Sequence, residues 1–98
     1  MGFVQFVEFT TSNIDEMREL GNKYQEETGK QRASSRGVLC ADRDTPGRYV
    51  VVAEFPSYEE AMKNSELPET QAMAEAMGKL AEGPPSFRNL DVLEVWGG

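Results

Sequence analysis

The chain lacks histidine entirely among its 98 residues. That excludes imidazole acid–base chemistry, a histidine-ligated haem and most zinc sites. It has a single cysteine, Cys40, so no intrachain disulfide can form. No apolar run approaches the roughly 18 residues of a membrane-spanning helix. The first residues, Met1-Gly2-Phe3-Val4-Gln5-Phe6, carry no basic stretch of a secretory signal and enter a strand pattern at once. Phe6 stands where a myristoylation signal needs serine or threonine. Positive charge is scarce, with 10 Lys and Arg against 17 Asp and Glu, a net charge of −7. Such a surface repels phosphate backbones and anionic lipid, so neither nucleic acid nor membrane is an expected partner. The default expectation is a reduced, cytoplasmic protein.

What is present fits one domain spanning residues 1–98. A chain of this size buries a little over 60% of its unfolded surface, enough for one sheet under one helical layer. Phe3, Gln5, Val7 and Phe9 share one face of a first strand, and Val4, Phe6 and Glu8 the other. Both faces carry apolar groups, which predicts a central strand covered on both sides. Thr11-Ser12-Asn13 offers helix caps, with Glu16 at capping-box spacing from Asn13. Ile14, Met17, Leu20 and Tyr24 follow at helical spacing, and Gly29 is a plausible C-terminal glycine.

A weaker strand is expected over 33–42, with Cys40 as a small buried hydrophobe. A Pro46-Gly47 turn then leads to a second buried strand, Tyr49 to Phe55. Ser57 and Glu60 form a second capping-box pair. Leu67-Pro68 interrupts the helix they begin, Met73, Met77 and Leu80 make a later apolar stripe, and Gly83-Pro84-Pro85 ends it. A last strand is expected from Phe87 to Trp96, with Trp96 as an interface or core anchor. The order is βαββαβ. Right-handed crossovers then give an α+β, ferredoxin-like fold: a four-stranded antiparallel sheet with two helices on one face. The other face would be bare yet apolar, which predicts a homodimer joined through the sheet faces.

The stretch Tyr49-Val50-Val51-Val52-Ala53-Glu54-Phe55-Pro56-Ser57-Tyr58-Glu59-Glu60-Ala61-Met62, followed by Asn64-Ser65 and Pro68, resembles the antibiotic biosynthesis monooxygenase-like branch of the dimeric α/β-barrel superfamily. The resemblance implies two ferredoxin-like subunits packed sheet against sheet, each with a pocket between its helices and its sheet. It implies a flat apolar or aromatic ligand, such as a polycyclic phenol or quinol. The quinone-forming members use molecular oxygen with no cofactor, so none is expected here. The position often held by histidine before the helix break is Asn64, and the strand-end tryptophan is Phe55. The haem-degrading branch needs an axial histidine that this chain does not have.

The candidate ligand-binding residues are Asn64, Phe55, Tyr24, Met62, Met73 and Met77. Asn64 is equally a helix-terminal residue satisfying backbone carbonyls, and core filling equally explains Phe55 and the methionines. Arg36 and Arg43 could pair with an anionic substrate or with protein carboxylates. Three functions remain open: a binding protein for a flat small molecule, a cofactor-independent monooxygenase acting on a phenol or quinol, and a non-catalytic structural dimer.

Overall fold

A computed structural model of the chain describes residues 2–28 and 36–97. The order is β1 (Phe3–Thr10), α1 (Ile14–Thr28), β2 (Arg36–Ala41), β3 (Arg48–Phe55), α2 (Tyr58–Ser65), α3 (Pro68–Leu80) and β4 (Ser86–Asp91). The four strands form one antiparallel sheet in the order β2-β3-β1-β4. This is the ferredoxin-like α+β arrangement, with the expected helix interrupted into α2 and α3 at Leu67-Pro68.

The alternation in β1 decides which face the helices cover. Phe3 and Phe9 are buried beneath them, together with Met17, Tyr24 and Ala61. The register sets Phe3 opposite Phe55, Gln5 opposite Ala53, Val7 opposite Val51 and Phe9 opposite Tyr49, so these pairs form the inner face. Phe9 stacks on Tyr49 with ring centroids 5.9 Å apart, and Phe3 meets Tyr58 edge-on at 5.4 Å. The outer face carries the other parity. One row across it reads Val38, Val52, Phe6, Arg88, and an adjacent row Arg36, Glu54, Val4, Leu90. Val4, Phe6, Val38, Val50, Val52 and Leu90 remain partly exposed there. Covering of the central strands on both sides is thus not met within one chain, because α1, α2 and α3 all lie on the inner face.

Local chemistry fixes the joints. The Thr11 hydroxyl, 2% exposed as a residue, donates to the Leu80 carbonyl at 2.8 Å and accepts from the Asn13 amide at 2.9 Å. It thus ties the start of α1 to the end of α3. Gly47 takes a positive φ of 85°, and the Arg48 amide donates to the Thr45 carbonyl, as the Pro-Gly turn requires. The Glu60 amide donates to Ser57 Oγ at 3.2 Å, the serine half of the capping box, while the Glu60 carboxylate faces Lys63 at 3.7 Å. Pro68 occupies the first turn of α3, where its missing N–H costs nothing.

Three expectations need correction. The last strand stops at Asp91 and does not run to Trp96. Its partner β1 begins at Phe3, and among the described residues the last bond along this edge runs from the Val92 amide to the Gly2 carbonyl. Leu93, Val95 and Trp96 are accordingly exposed, Trp96 at 83%, so Trp96 is no core anchor of its own chain. Cys40 is exposed on the edge strand β2 and not buried. The second strand is described over Arg36–Ala41, and the expected C-terminal Gly29 and residues 33–35 lie outside the described residues.

Gly78 sits within α3, and a Cβ built there meets nothing within 4 Å. Gly78→Ala should therefore raise stability by about 0.5–1 kcal/mol by removing unfolded-state freedom. Urea unfolding at fixed protein concentration checks this, with the midpoint moving up and the slope unchanged.

Candidate functional site

A cavity of about 210 Å³ lies between the helices and the inner sheet face. Its existence follows from side-chain size. Gly37 and Ala53 are register partners on that face and put almost no bulk above the sheet. Gln5, Val7, Phe9, Val51 and Phe87 continue the floor, and Met73 and Met77 of α3 make much of the roof. Phe55 closes the wall at the end of β3, beside the break where α2 gives way to α3.

Besides Gln5 and Gln25, three polar side chains that line the cavity are joined to one another. The Tyr24 hydroxyl donates to Asn64 Oδ1 at 3.2 Å and lies 2.7 Å from Thr70 Oγ1. Thr70 then donates to the phenol oxygen, since the single tyrosine proton goes to Asn64. The chain runs Thr70 to Tyr24 to Asn64 and joins three helices. Tyr24 comes from α1, Asn64 from the last turn of α2, and Thr70 from the first turn of α3. With Oδ1 engaged, the Asn64 Nδ2 amide is the part of that side chain left to donate to a ligand oxygen. The Asn64 backbone carbonyl meanwhile accepts from the Leu67 amide at 3.2 Å. The backbone alone therefore makes that helix-end bond, and the side chain faces Tyr24.

Of the residues singled out from the sequence, Asn64, Phe55, Tyr24, Met73 and Met77 line this one cavity. Met62 does not line it; Ala61 is the buried residue of α2. Arg36 pairs with Glu54 at 3.5 Å across the outer face, away from the cavity. Sequence reasoning missed Thr70, whose place two residues after Pro68 at the helix break was a usable signal. It also missed the small pair Gly37 and Ala53, which only the strand register reveals.

A second hollow of about 290 Å³, the vestibule, adjoins the cavity between α1 and β2, and the two have Met17, Gln25, Gly37 and Val51 among their shared walls. A wider depression between α1 and α3, rimmed by Glu16, Lys23, Glu75 and Lys79, is shallow and open, so a ligand there would keep much of its surface in water. Among the described residues no three His, Cys, Asp or Glu side chains cluster to hold a metal ion, and no helix is long and apolar enough to cross a membrane.

Sheet order and helix placement define a ferredoxin-like α+β fold with a pocket between its two layers. Solved structures narrow this to the fold of the antibiotic biosynthesis monooxygenase-like proteins. A candidate antibiotic biosynthesis monooxygenase from Caulobacter crescentus is similar with a TM-score of 0.83 at 16% identity, over 95% of this chain and 91% of that one. SnoaB, a cofactor-independent oxygenase from Streptomyces nogalater, is similar with a TM-score of 0.79 at 14% identity, over 96% and 95%. Rv0793 from Mycobacterium tuberculosis is similar with a TM-score of 0.80 at 16% identity, over 99% and 100%. No protein-family model and no curated protein sequence matches the chain.

Proposed function

We propose that the protein is a sheet-to-sheet homodimer that binds a flat apolar or aromatic small molecule between its helices and its sheet. The observation that carries this reading is the apolar cavity with one polar chain, Thr70–Tyr24–Asn64, set into its wall. Concave, mostly apolar sites with a few convergent polar groups are the usual form of small-molecule sites. Methionines on the roof suit a planar ligand because their thioethers adapt to ring faces. The dimer rests on the outer face, whose apolar centre of Val4, Phe6, Val50 and Val52 is left without cover. The exposed Leu93, Val95 and Trp96 suit burial against a second copy as well.

A second reading is cofactor-independent monooxygenation of a phenol or quinol, and the fold shared with SnoaB favours it. The Asn64 amide would donate to the substrate oxygen as charge accumulates there on loss of a proton. The electron-rich ring carbon would then add oxygen to give a hydroperoxide. Loss of water leaves one oxygen atom as a ring carbonyl and sends the other away as water. Donors aimed at developing negative charge contribute most when water is excluded.

Calorimetry with a dihydroxyanthraquinone and oxygen uptake with the corresponding dihydroxyanthrone test the two readings together. Binding without uptake above the buffer rate supports the binding protein and removes the oxygenase. Should uptake occur, Asn64→Ala ought to slow it about 100-fold, the usual effect of removing one such donor. An Asn64→Ala protein as fast as the parent would take Asn64 out of the mechanism. Absence of binding by either tricycle would sink both readings.

A further inference from the structure

The cavity and its vestibule differ in charge from the rest of the molecule. Among the described residues no aspartate or glutamate lines either compartment, although the chain holds 17 of them. Arg18, on α1, is the one charged side chain among the described residues that lines them, and it lines only the vestibule. Like Arg43, Lys79 and Arg88 it forms no ion pair among the described residues, whereas Lys23, Arg36, Arg48 and Lys63 each face a carboxylate. What sets Arg18 apart from those three is its place: among the described residues it is the unpaired cation bordering an apolar chamber with no carboxylate in its walls, a ready site for a ligand's anion.

Among the described residues nothing fills the space beside two glycines at this site. Gly21 of α1 and Gly37 of β2 line the vestibule, and a Cβ built at either meets nothing within 4 Å. The polar end of the inner chamber, at Asn64, belongs to the other compartment and is absent from the vestibule's walls. A ligand reaching both would have a polar ring substituent at its inner end and a second polar group at its outer end.

Resting on the proposed binding of a flat aromatic molecule, we propose that the ligand also carries an anionic substituent. Its rings occupy the inner chamber and its anion sits in the vestibule at Arg18. Entry runs between α1 and β2, past Gly21 and Gly37. Arg18 sets which ligand binds and does not touch the reacting end.

Anthraquinone-2-carboxylate and its neutral carboxamide have nearly the same shape and differ in charge, so their affinities measured by calorimetry isolate this contribution. The parent should hold the carboxylate about fivefold to tenfold more tightly at low salt, with the preference shrinking as salt is added. Arg18→Gln should abolish the preference and leave the carboxamide within about twofold of its parent affinity. Gly37→Leu, with the side chain placed in the passage, should weaken both ligands about tenfold or more, while an unchanged circular dichroism spectrum shows the fold intact. Equal affinities in the parent, or a preference that survives Arg18→Gln, would overturn the inference and leave the binding reading standing. Failure of both ligands to bind the parent would instead overturn the binding reading itself.

Discussion

Val52→Asp should turn the proposed dimer into a folded monomer. Val52 sits near the centre of the outer face, between Val38 and Phe6 in the cross-sheet row. In an isolated subunit its side chain is only partly exposed, so aspartate there stays in contact with water. The cost within the subunit is then the loss of a β-branched residue from a strand, about 1 kcal/mol or less. In a two-fold sheet-to-sheet interface the same position meets the partner's outer face, and symmetry introduces two carboxylates together. Burying an unpaired charge costs several kcal/mol, so dimer affinity should fall at least about 100-fold.

The surroundings of Val52 strengthen the expectation. The apolar centre is flanked by Arg48–Glu8 at 3.9 Å and Arg36–Glu54 at 3.5 Å, and the Arg88 guanidinium lies 5.8 Å from the Phe6 ring centroid. An apolar middle inside a charged border is the usual anatomy of a protein interface. Sedimentation of parent and variant at about 10 μM decides the matter. A parent that sediments as a monomer removes the dimer proposal. A Val52→Asp variant that remains dimeric moves the interface off this face, with Leu93, Val95 and Trp96 as the next surface to examine.

How much could be read in advance depended on whether a feature was local. The α2 cap, the Pro46-Gly47 turn and the break at Pro68 are set by neighbours a few residues apart, and each stands where the residues place it. The inner face of β1 was legible because Phe3 and Phe9 share a parity and both are buried. The end of β4 was not. Leu93, Val95 and Trp96 continue an apolar alternation, yet a strand also needs a neighbour, and among the described residues none pairs with them. Cys40 was misjudged for a related reason, since residue type alone does not show that β2 is an edge strand. In the site, Asn64 and Phe55 could be found because they mark element ends. The bond from Tyr24 to Asn64 spans 40 residues, and the gap above Gly37 and Ala53 exists only once β2 and β3 are in register.

Phe3→Ala should cost about 3–4 kcal/mol and loosen the site before it unfolds the rest. Phe3 is 3% exposed and pairs in register with Phe55, its ring centroid 6.4 Å away, while the Tyr58 edge approaches to 5.4 Å. Truncating a buried phenylalanine loses its transfer energy and leaves a cavity that neighbours only partly fill. A domain of this size is held by roughly 5–10 kcal/mol, so the loss takes a large share. The damage has a direction. Helix α2 is only eight residues long and is anchored at its start by the Ser57 cap and by Tyr58 against Phe3. Its last turn holds Asn64, which meets Tyr24 only if α2 is seated. Hydrogen exchange should therefore lose protection in α2 first, with β1 and β3 protected until global unfolding. Phe3→Leu, which keeps most of the volume, should cost about 1–1.5 kcal/mol and leave the exchange order unchanged. If α2 in Phe3→Ala stays as protected as β3, the seating of Asn64 does not depend on the Phe3–Tyr58 contact.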